Sequence, residues 1–282
     1  MTDSWIDFQL DLTFATVSVK TKGEGRDSLI CLHGYMQSKN LFDVLFPEVP
    51  KGWRVVCIDL PLFGNSEWNG ETGIDKSFFD ELWQALVKKY PDNTWHIMGF
   101  SMGGKMAMLM AESSLIELKT GILIAPDGIK SNYWHLLITR TGIGKFLFKF
   151  ALRFPKTLMA FASFFRKIMF IGNFSLRFLR ASFVRPRDRE LLENTIRIYH
   201  VKPFRFKEWC DGQLGKNTRW LLIWGKKDRV LRPSVAKNFT RAIPNSEIHL
   251  VNAGHMLIGH NPRRLRKILD RNVFHTSVKA EG

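Results

Sequence analysis

The sequence predicts an α/β architecture, a mostly parallel central sheet of about eight strands flanked by helices. Three observations predict it. Short apolar runs at 29–32, 53–58, 95–98, 121–125, 220–224 and 247–251 alternate with helix-like or loop segments, the rhythm of parallel strands joined by crossovers. Ahead of them, the alternation across Ile6 to Val19 reads as an antiparallel pair that opens the sheet. Between about Ile129 and Gly215 the rhythm stops, and that stretch holds many phenylalanines and no convincing strand.

Composition agrees with this architecture. A chain of 282 residues, 45% hydrophobic and 24% charged, can bury a substantial core. Of the three cysteines, Cys31 and Cys57 fall within apolar strand-like runs and, with Cys210, read as buried thiols. The opening Met1-Thr-Asp-Ser-Trp-Ile-Asp places acids where a secretory signal would place basic residues, so the expected location is cytoplasmic. The most hydrophobic region, Leu158 to Leu179, is interrupted by Arg166, Lys167 and Arg177, short of the roughly 20 apolar residues of a membrane-spanning helix. Internal repeats and low-complexity tracts are not apparent.

The chemistry concentrates at Gly99-Phe-Ser101-Met-Gly103, a G-x-S-x-G run between the apolar stretch Thr94–Met98 and the helix-like stretch Gly104–Glu112. A serine on a tight strand-to-helix turn has its hydroxyl forced into the open, and glycines beside it let neighbouring backbone approach. A serine hydroxyl is a poor nucleophile until an imidazole takes its proton and a carboxylate fixes that imidazole's tautomer. Both are found downstream: Trp220–Gly225 runs into a turn ending at Asp228, and Ser246–Val251 is followed by His255 in Asn-Ala-Gly-His. His255 has seven rivals. Of these, His249 sits inside a strand-like run and is expected to pack, His33 is expected to be structural, and His260 and His275 fall in polar C-terminal segments. His96, His135 and His200 complete the set. Asp228 has one rival, Asp127, which also follows a strand-like run.

The order Ser101, Asp228, His255, each just beyond a strand, resembles the α/β-hydrolase fold superfamily. Two upstream segments carry the same resemblance. Leu29-Ile-Cys-Leu-His33-Gly34-Tyr35 is similar to the family's oxyanion loop, and Asp59-Leu-Pro-Leu-Phe-Gly64-Asn-Ser66 to its D-x-P-x-x-G-x-S segment. Gly99-Phe-Ser-Met-Gly-Gly-Lys105 resembles a subgroup of small-ester and acyl hydrolases whose elbow is followed by Gly-Lys. The resemblance implies an oxyanion hole from the backbone N–H groups of Tyr35 and Met102. It also implies a core of residues 1–128 and 216–282 with a helical cap at 129–215, and places Asp59 as the anchor of its own turn.

The resemblance implies a serine hydrolase of the esterase, lipase or thioesterase kind, acting on an ester or thioester through an acyl-enzyme on Ser101, and the phenylalanine-rich insertion points to an apolar acyl group. Two alternatives stay open: the same triad used for carbon-carbon bond hydrolysis or proton abstraction, and a non-catalytic ligand receptor on the same fold. Epoxide hydrolysis and dehalogenation are disfavoured, because related enzymes for those reactions carry an aspartate where this chain has Ser101. Neither a metal nor an organic cofactor is expected, since no His, Cys and carboxylate cluster has ligand spacing.

Charge sets the insertion apart. Residues 129–215 carry 17 Lys and Arg against five acids, a net +12 of the +16 of the whole chain. Lys145, Lys149, Arg153 and Lys156 fall on one stripe if helical, with a break expected at Pro155. Phe146, Phe148, Phe150, Phe154, Phe161, Phe164 and Phe165 lie between them. Three readings fit that surface: solvated cations over phenylalanines that line a substrate tunnel, peripheral docking on an anionic membrane, and attraction of an anionic substrate. Nucleic acid is not expected as a partner, because the cations are interleaved with a large apolar payload and no recognised nucleic-acid motif is present.

Overall fold

A computed structural model describes residues 4–129, 141–165, 180–199, 204–213 and 216–274, with the side chains of 161–165 excepted. His135, His200 and His275 therefore lie outside the described residues, as do the side chains of Phe161, Phe164 and Phe165.

Strands β1 (Ile6–Leu12) and β2 (Ala15–Lys22) form the antiparallel opening pair, with Leu12 opposite Ala15. Beside β2 lies β4 (Trp53–Ile58), also antiparallel to it. From β4 the sheet is parallel through β3 (Asp27–Leu32), β6 (Thr94–Phe100), β7 (Leu118–Ile124), β8 (Arg219–Gly225) and β9 (Ser246–Val251). A two-residue strand, β5 (Glu67–Trp68), pairs with β2 and brings the sheet to nine strands. Its brevity leaves no periodicity to read, which is why sequence alone gives about eight.

The central strands carry continuous apolar runs toward their carboxyl ends because both faces are covered there. Leu29 to Leu32, Val55 to Ile58 and Leu221 to Trp224 are essentially inaccessible. Strand β9 has a neighbour on one side only and is half-buried, so His249 does not pack into the core as expected. Its Nε2 lies 2.6 Å from Glu247 Oε1 near the sheet edge.

Helix α1 (Lys76–Lys89) is capped by Asp75, whose carboxylate accepts from Ser77 N–H at 3.0 Å, and it buries Phe78, Phe79, Leu82, Trp83 and Leu86. The Trp83 indole donates to the Met110 carbonyl at 2.9 Å, tying α1 to the end of helix α2 (Met102–Met110). The three cysteines are free thiols and buried, with Cys31 opposite Cys57 on adjacent parallel strands.

The chain divides into two compact units, one of residues 1–70, 75–130 and 205–282, the other of 71–74 and 131–204. The described part of the second is helical: α3 (Gly142–Arg153), α4 (Pro155–Phe165) and α5 (Pro186–Tyr199). Thr141 caps α3 by accepting from Gly144 N–H at 2.9 Å. Phe154 ends that helix and Pro155 opens the next, so the basic stripe is divided, with Lys145, Lys149 and Arg153 on α3 and Lys156 on α4. Phe148 meets Phe183 edge-on at 6.5 Å, whereas Phe146, Phe150 and Phe154 are exposed.

In the first unit, α6 (Phe206–Gln213) resumes the core, where the Trp209 indole donates to the Met108 carbonyl at 2.6 Å. Helices α7 (Ala236–Ala242), α8 (Leu257–His260) and α9 (Pro262–Leu269) complete it. No helix among the described residues is long and apolar enough to cross a membrane.

Candidate active site

The site assembles where several parallel strands end at their carboxyl side, where open α/β sheets expose their loops. Strand β6 delivers Ser101, which adopts φ 52° and ψ −115° and passes directly into α2. A serine rarely occupies that region, and it is held there by its own backbone bonds. Its N–H donates to the Ile124 carbonyl at 3.0 Å, and its carbonyl accepts from Gly104 and Asp127 N–H at 2.9 Å each. The flanking glycines are needed for close approach. A Cβ on Gly99 would lie 2.2 Å from the Gly103 carbonyl oxygen, and one on Gly103 would lie 2.2 Å from that of Leu32.

Asp228 stands beyond β8, buried, with every carboxylate role filled. Its Oδ1 accepts from Val230 N–H at 2.8 Å and Leu231 N–H at 2.9 Å, which fixes the side chain's orientation. The Trp224 indole clamps the same loop by donating to the Leu231 carbonyl at 2.7 Å. The remaining oxygen, Oδ2, lies 2.8 Å from His255 Nδ1, and His255 Nε2 lies 3.0 Å from Ser101 Oγ. The loops after β8 and β9 are laced together by Lys226 N–H to the Val251 carbonyl and Lys227 N–H to that of Ala253, which holds Asp228 and His255 in register. Phe100 lies against the imidazole at 5.3 Å between ring centres.

This chain of contacts sets the proton arrangement. With Nδ1–H donating to a carboxylate, Nε2 is left as the acceptor for the serine O–H, the arrangement that activates an alcohol as a nucleophile. The rival acid Asp127 is placed elsewhere. Its Oδ1 accepts from Gly128 N–H at 2.8 Å, and its charge acts on Lys105.

The two expected oxyanion donors sit on neighbouring segments. Met102 is the first residue of α2, where an amide N–H has no acceptor within its own helix. Tyr35 follows β3, whose last carbonyls abut Gly103, and its ring packs edge-on to Phe63 at 5.8 Å between centres. Gln37 Oε1 accepts from Gly34 N–H at 3.1 Å and braces the same loop.

His33 is fully buried beside the site with both ring nitrogens occupied. Nε2 accepts from Leu60 N–H at 3.0 Å, and Nδ1 faces the Gly34 carbonyl at 2.7 Å. Burial pushes its pKa down to about 4, against the opposing pull of that carbonyl and of Asp59. Asp59 holds its own turn, accepting from Lys39 N–H at 2.6 Å and Asn65 N–H at 3.0 Å.

Two features were not readable as site residues from sequence. Lys105, one turn into α2, is buried, and burial lowers its ammonium below the ordinary lysine range while Asp127 opposes the shift. Lys39 is buried with its ammonium 2.9 Å from Asp7 and 3.6 Å from Asp59. The only signal for Lys105 was its place after the second elbow glycine. Among the described residues, no group of three or more His, Cys, Asp or Glu could hold a metal ion.

The chain is similar to monoacylglycerol lipase ABHD6 of Bos taurus, 25% identical over 273 residues that cover 86% of this chain and 74% of that one. A shorter match, 33% identical over 110 residues, covers 39% of this chain and 41% of a pimeloyl-acyl-carrier-protein methyl ester esterase from Aeromonas hydrophila. Among solved structures, an esterase from Thermogutta terrifontis superposes with a TM-score of 0.69 at 17% identity, over 94% of this chain and 97% of that one. The family model for the alpha/beta hydrolase fold matches residues 27–262, and the chain belongs to that family.

Proposed function

We propose that the protein is a serine hydrolase that cleaves an ester or thioester with an apolar acyl group. The observation that carries this reading is the continuous line from Ser101 Oγ through His255 to Asp228, at 3.0 and 2.8 Å. Ser101 Oγ attacks the substrate carbonyl carbon while His255 Nε2 takes the serine proton. The oxygen of the tetrahedral intermediate gains its negative charge facing the backbone N–H groups of Tyr35 and Met102. One such donor is worth about 3–4 kcal/mol of transition-state stabilisation. Collapse returns the proton from His255 to the departing alcohol or thiol and leaves an acyl group on Ser101. Water then attacks that acyl-enzyme, giving its proton to the same nitrogen, and collapse breaks the acyl–Oγ bond as His255 returns that proton to Ser101 Oγ and the acid leaves. Asp228 holds the imidazole in the tautomer that can accept, and stabilises its cation when it forms.

An apolar acyl group is supported by two independent points: the phenylalanine-rich insertion, and the similarity to proteins named as a lipase and an acyl methyl ester esterase. Esters of that kind partition into bilayers, so peripheral contact with an anionic membrane belongs to the same reading. A panel of 4-nitrophenyl esters and acyl thioesters from two to sixteen carbons tests it. The expected result is kcat/KM rising with acyl length across the short members. Turnover of none of them, with a carbon-carbon bond cleaved in a diketone substrate instead, would replace this reading.

A further inference from the structure

We infer that helix α3 is an interfacial anchor that seats the second unit on an anionic bilayer surface. Resting on the reading that the substrate is an apolar ester, the proposal names the partner surface and the residues that meet it.

Helix α3 carries two apolar faces. One turns inward, where Gly144 is buried and Phe148 packs on Phe183. The other points outward. Ile143 is 75% exposed and Phe146 68%, followed by Leu147, Phe150 and Phe154, each exposed by 44% or more. Their offsets of 3, 4, 7 and 11 from Ile143 place them on one side of a helix, and at 1.5 Å per residue the stripe runs about 16 Å. Large apolar side chains on a single unpartnered face, in such number and so open, mark an interaction surface.

Charge identifies the partner. Lys145, Lys149 and Arg153 recur every fourth residue along the flank of that stripe, all exposed, and Lys156 follows on α4. From Gly128 to Arg187 the sequence contains twelve Lys and Arg and no Asp or Glu, so nothing acidic in that stretch offsets the field. An apolar stripe bordered by long cationic side chains suits a lipid interface. Phenylalanines sit at the acyl boundary, while lysine and arginine stems lie along apolar surface and carry their charge to the headgroups. Anionic lipid supplies the opposing charge. Helix α9 shows the contrast: Arg263, Arg264 and Lys267 are exposed there, but its apolar residues Leu265 and Leu269 are wholly buried. With Ile268 only partly buried beside them, it offers charge without an exposed row of large apolar side chains.

Flotation of the full chain with vesicles of phosphatidylcholine containing 30% phosphatidylglycerol, and with phosphatidylcholine alone, tests the inference at low and high salt. Binding is expected on the anionic vesicles and is expected to weaken with salt. Phe146→Gln/Phe150→Gln and Lys145→Glu/Lys149→Glu should each weaken it at least tenfold with unchanged circular dichroism, whereas Arg263→Glu/Arg264→Glu should weaken it far less. In a Phe146→Trp variant, brominated lipid should quench the new indole's fluorescence. Equal binding by the Phe146→Gln/Phe150→Gln variant, an unquenched indole, or self-association abolished by that variant without vesicle binding would each overturn the proposal. Ser101→Ala should float as the wild type does. An inert enzyme that still floats would count against the proposed hydrolase only, and an active one that does not float would count against the anchor only.

Discussion

The Nε2 of His255 and the Oγ of Ser101 lie 3.0 Å apart on segments 154 positions distant in sequence. Contacts remote in sequence hold both in place. Ser101 is held by a left-handed backbone pinned to β7, and His255 by a loop laced to the one that carries Asp228. The proximity is a product of the parallel sheet, which brings successive strand ends to one side.

Replacing Asp228 by Asn tests which acid serves the imidazole. An amide at that position can present its NH₂ to Nδ1 and so favour the tautomer whose Nε2 carries the proton. The expected loss in kcat is about 10⁴-fold, by analogy with triads altered in this way. Asp127→Asn should retain most of the activity, because its carboxylate does not face His255. Steady-state kinetics of the two variants on one ester would decide, and a larger loss in Asp127→Asn would reverse the assignment.

Gly103→Ala tests the elbow itself. The added carbon would meet the carbonyl oxygens of Leu32 and His33 at 2.2 and 2.4 Å, both backbone and unable to swing away. Stability should fall by about 1–3 kcal/mol or more, as in overpacked cores, with activity lost through displacement of Ser101. A urea midpoint unchanged from wild type would show that β3 and α2 are not packed as described.

The pH dependence of stability has a definite sign at His33. Its folded pKa of about 4 lies below the ordinary 6.5, so between those values the unfolded chain binds more proton than the folded one. Its contribution is therefore full above pH 6.5, declines as the pH falls toward 4, and is level below that. The difference corresponds to about 3 kcal/mol. His96, which burial also shifts downward, acts in the same direction. NMR titration of the imidazole nitrogens should find His33 neutral down to about pH 4, and a midpoint near 6.5 would contradict its placement.

Much of this fold was legible because its central parallel strands are buried on both faces and so contain continuous apolar runs. The elbow was legible because only glycine tolerates the approach seen at Gly99 and Gly103. Strand β5 was not, since two residues carry no period. Nor was the burial of Lys105 and Lys39, because a lysine reads as solvated until its neighbours in space are known. The phenylalanines of α3 show the same limit. The cations beside them fell on a readable stripe, but which phenylalanines are exposed depended on Phe148 and Gly144 taking the inward side.

The central claim is that Ser101 is an activated nucleophile, and covalent labelling by a fluorophosphonate probe tests it most directly. Intact mass and peptide mapping of the wild type should show one adduct, on Ser101, and Ser101→Ala should show none. Failure of the folded wild type to react, or an adduct on another residue that persists in Ser101→Ala, would contradict the account and favour a non-catalytic, ligand-binding role for the protein.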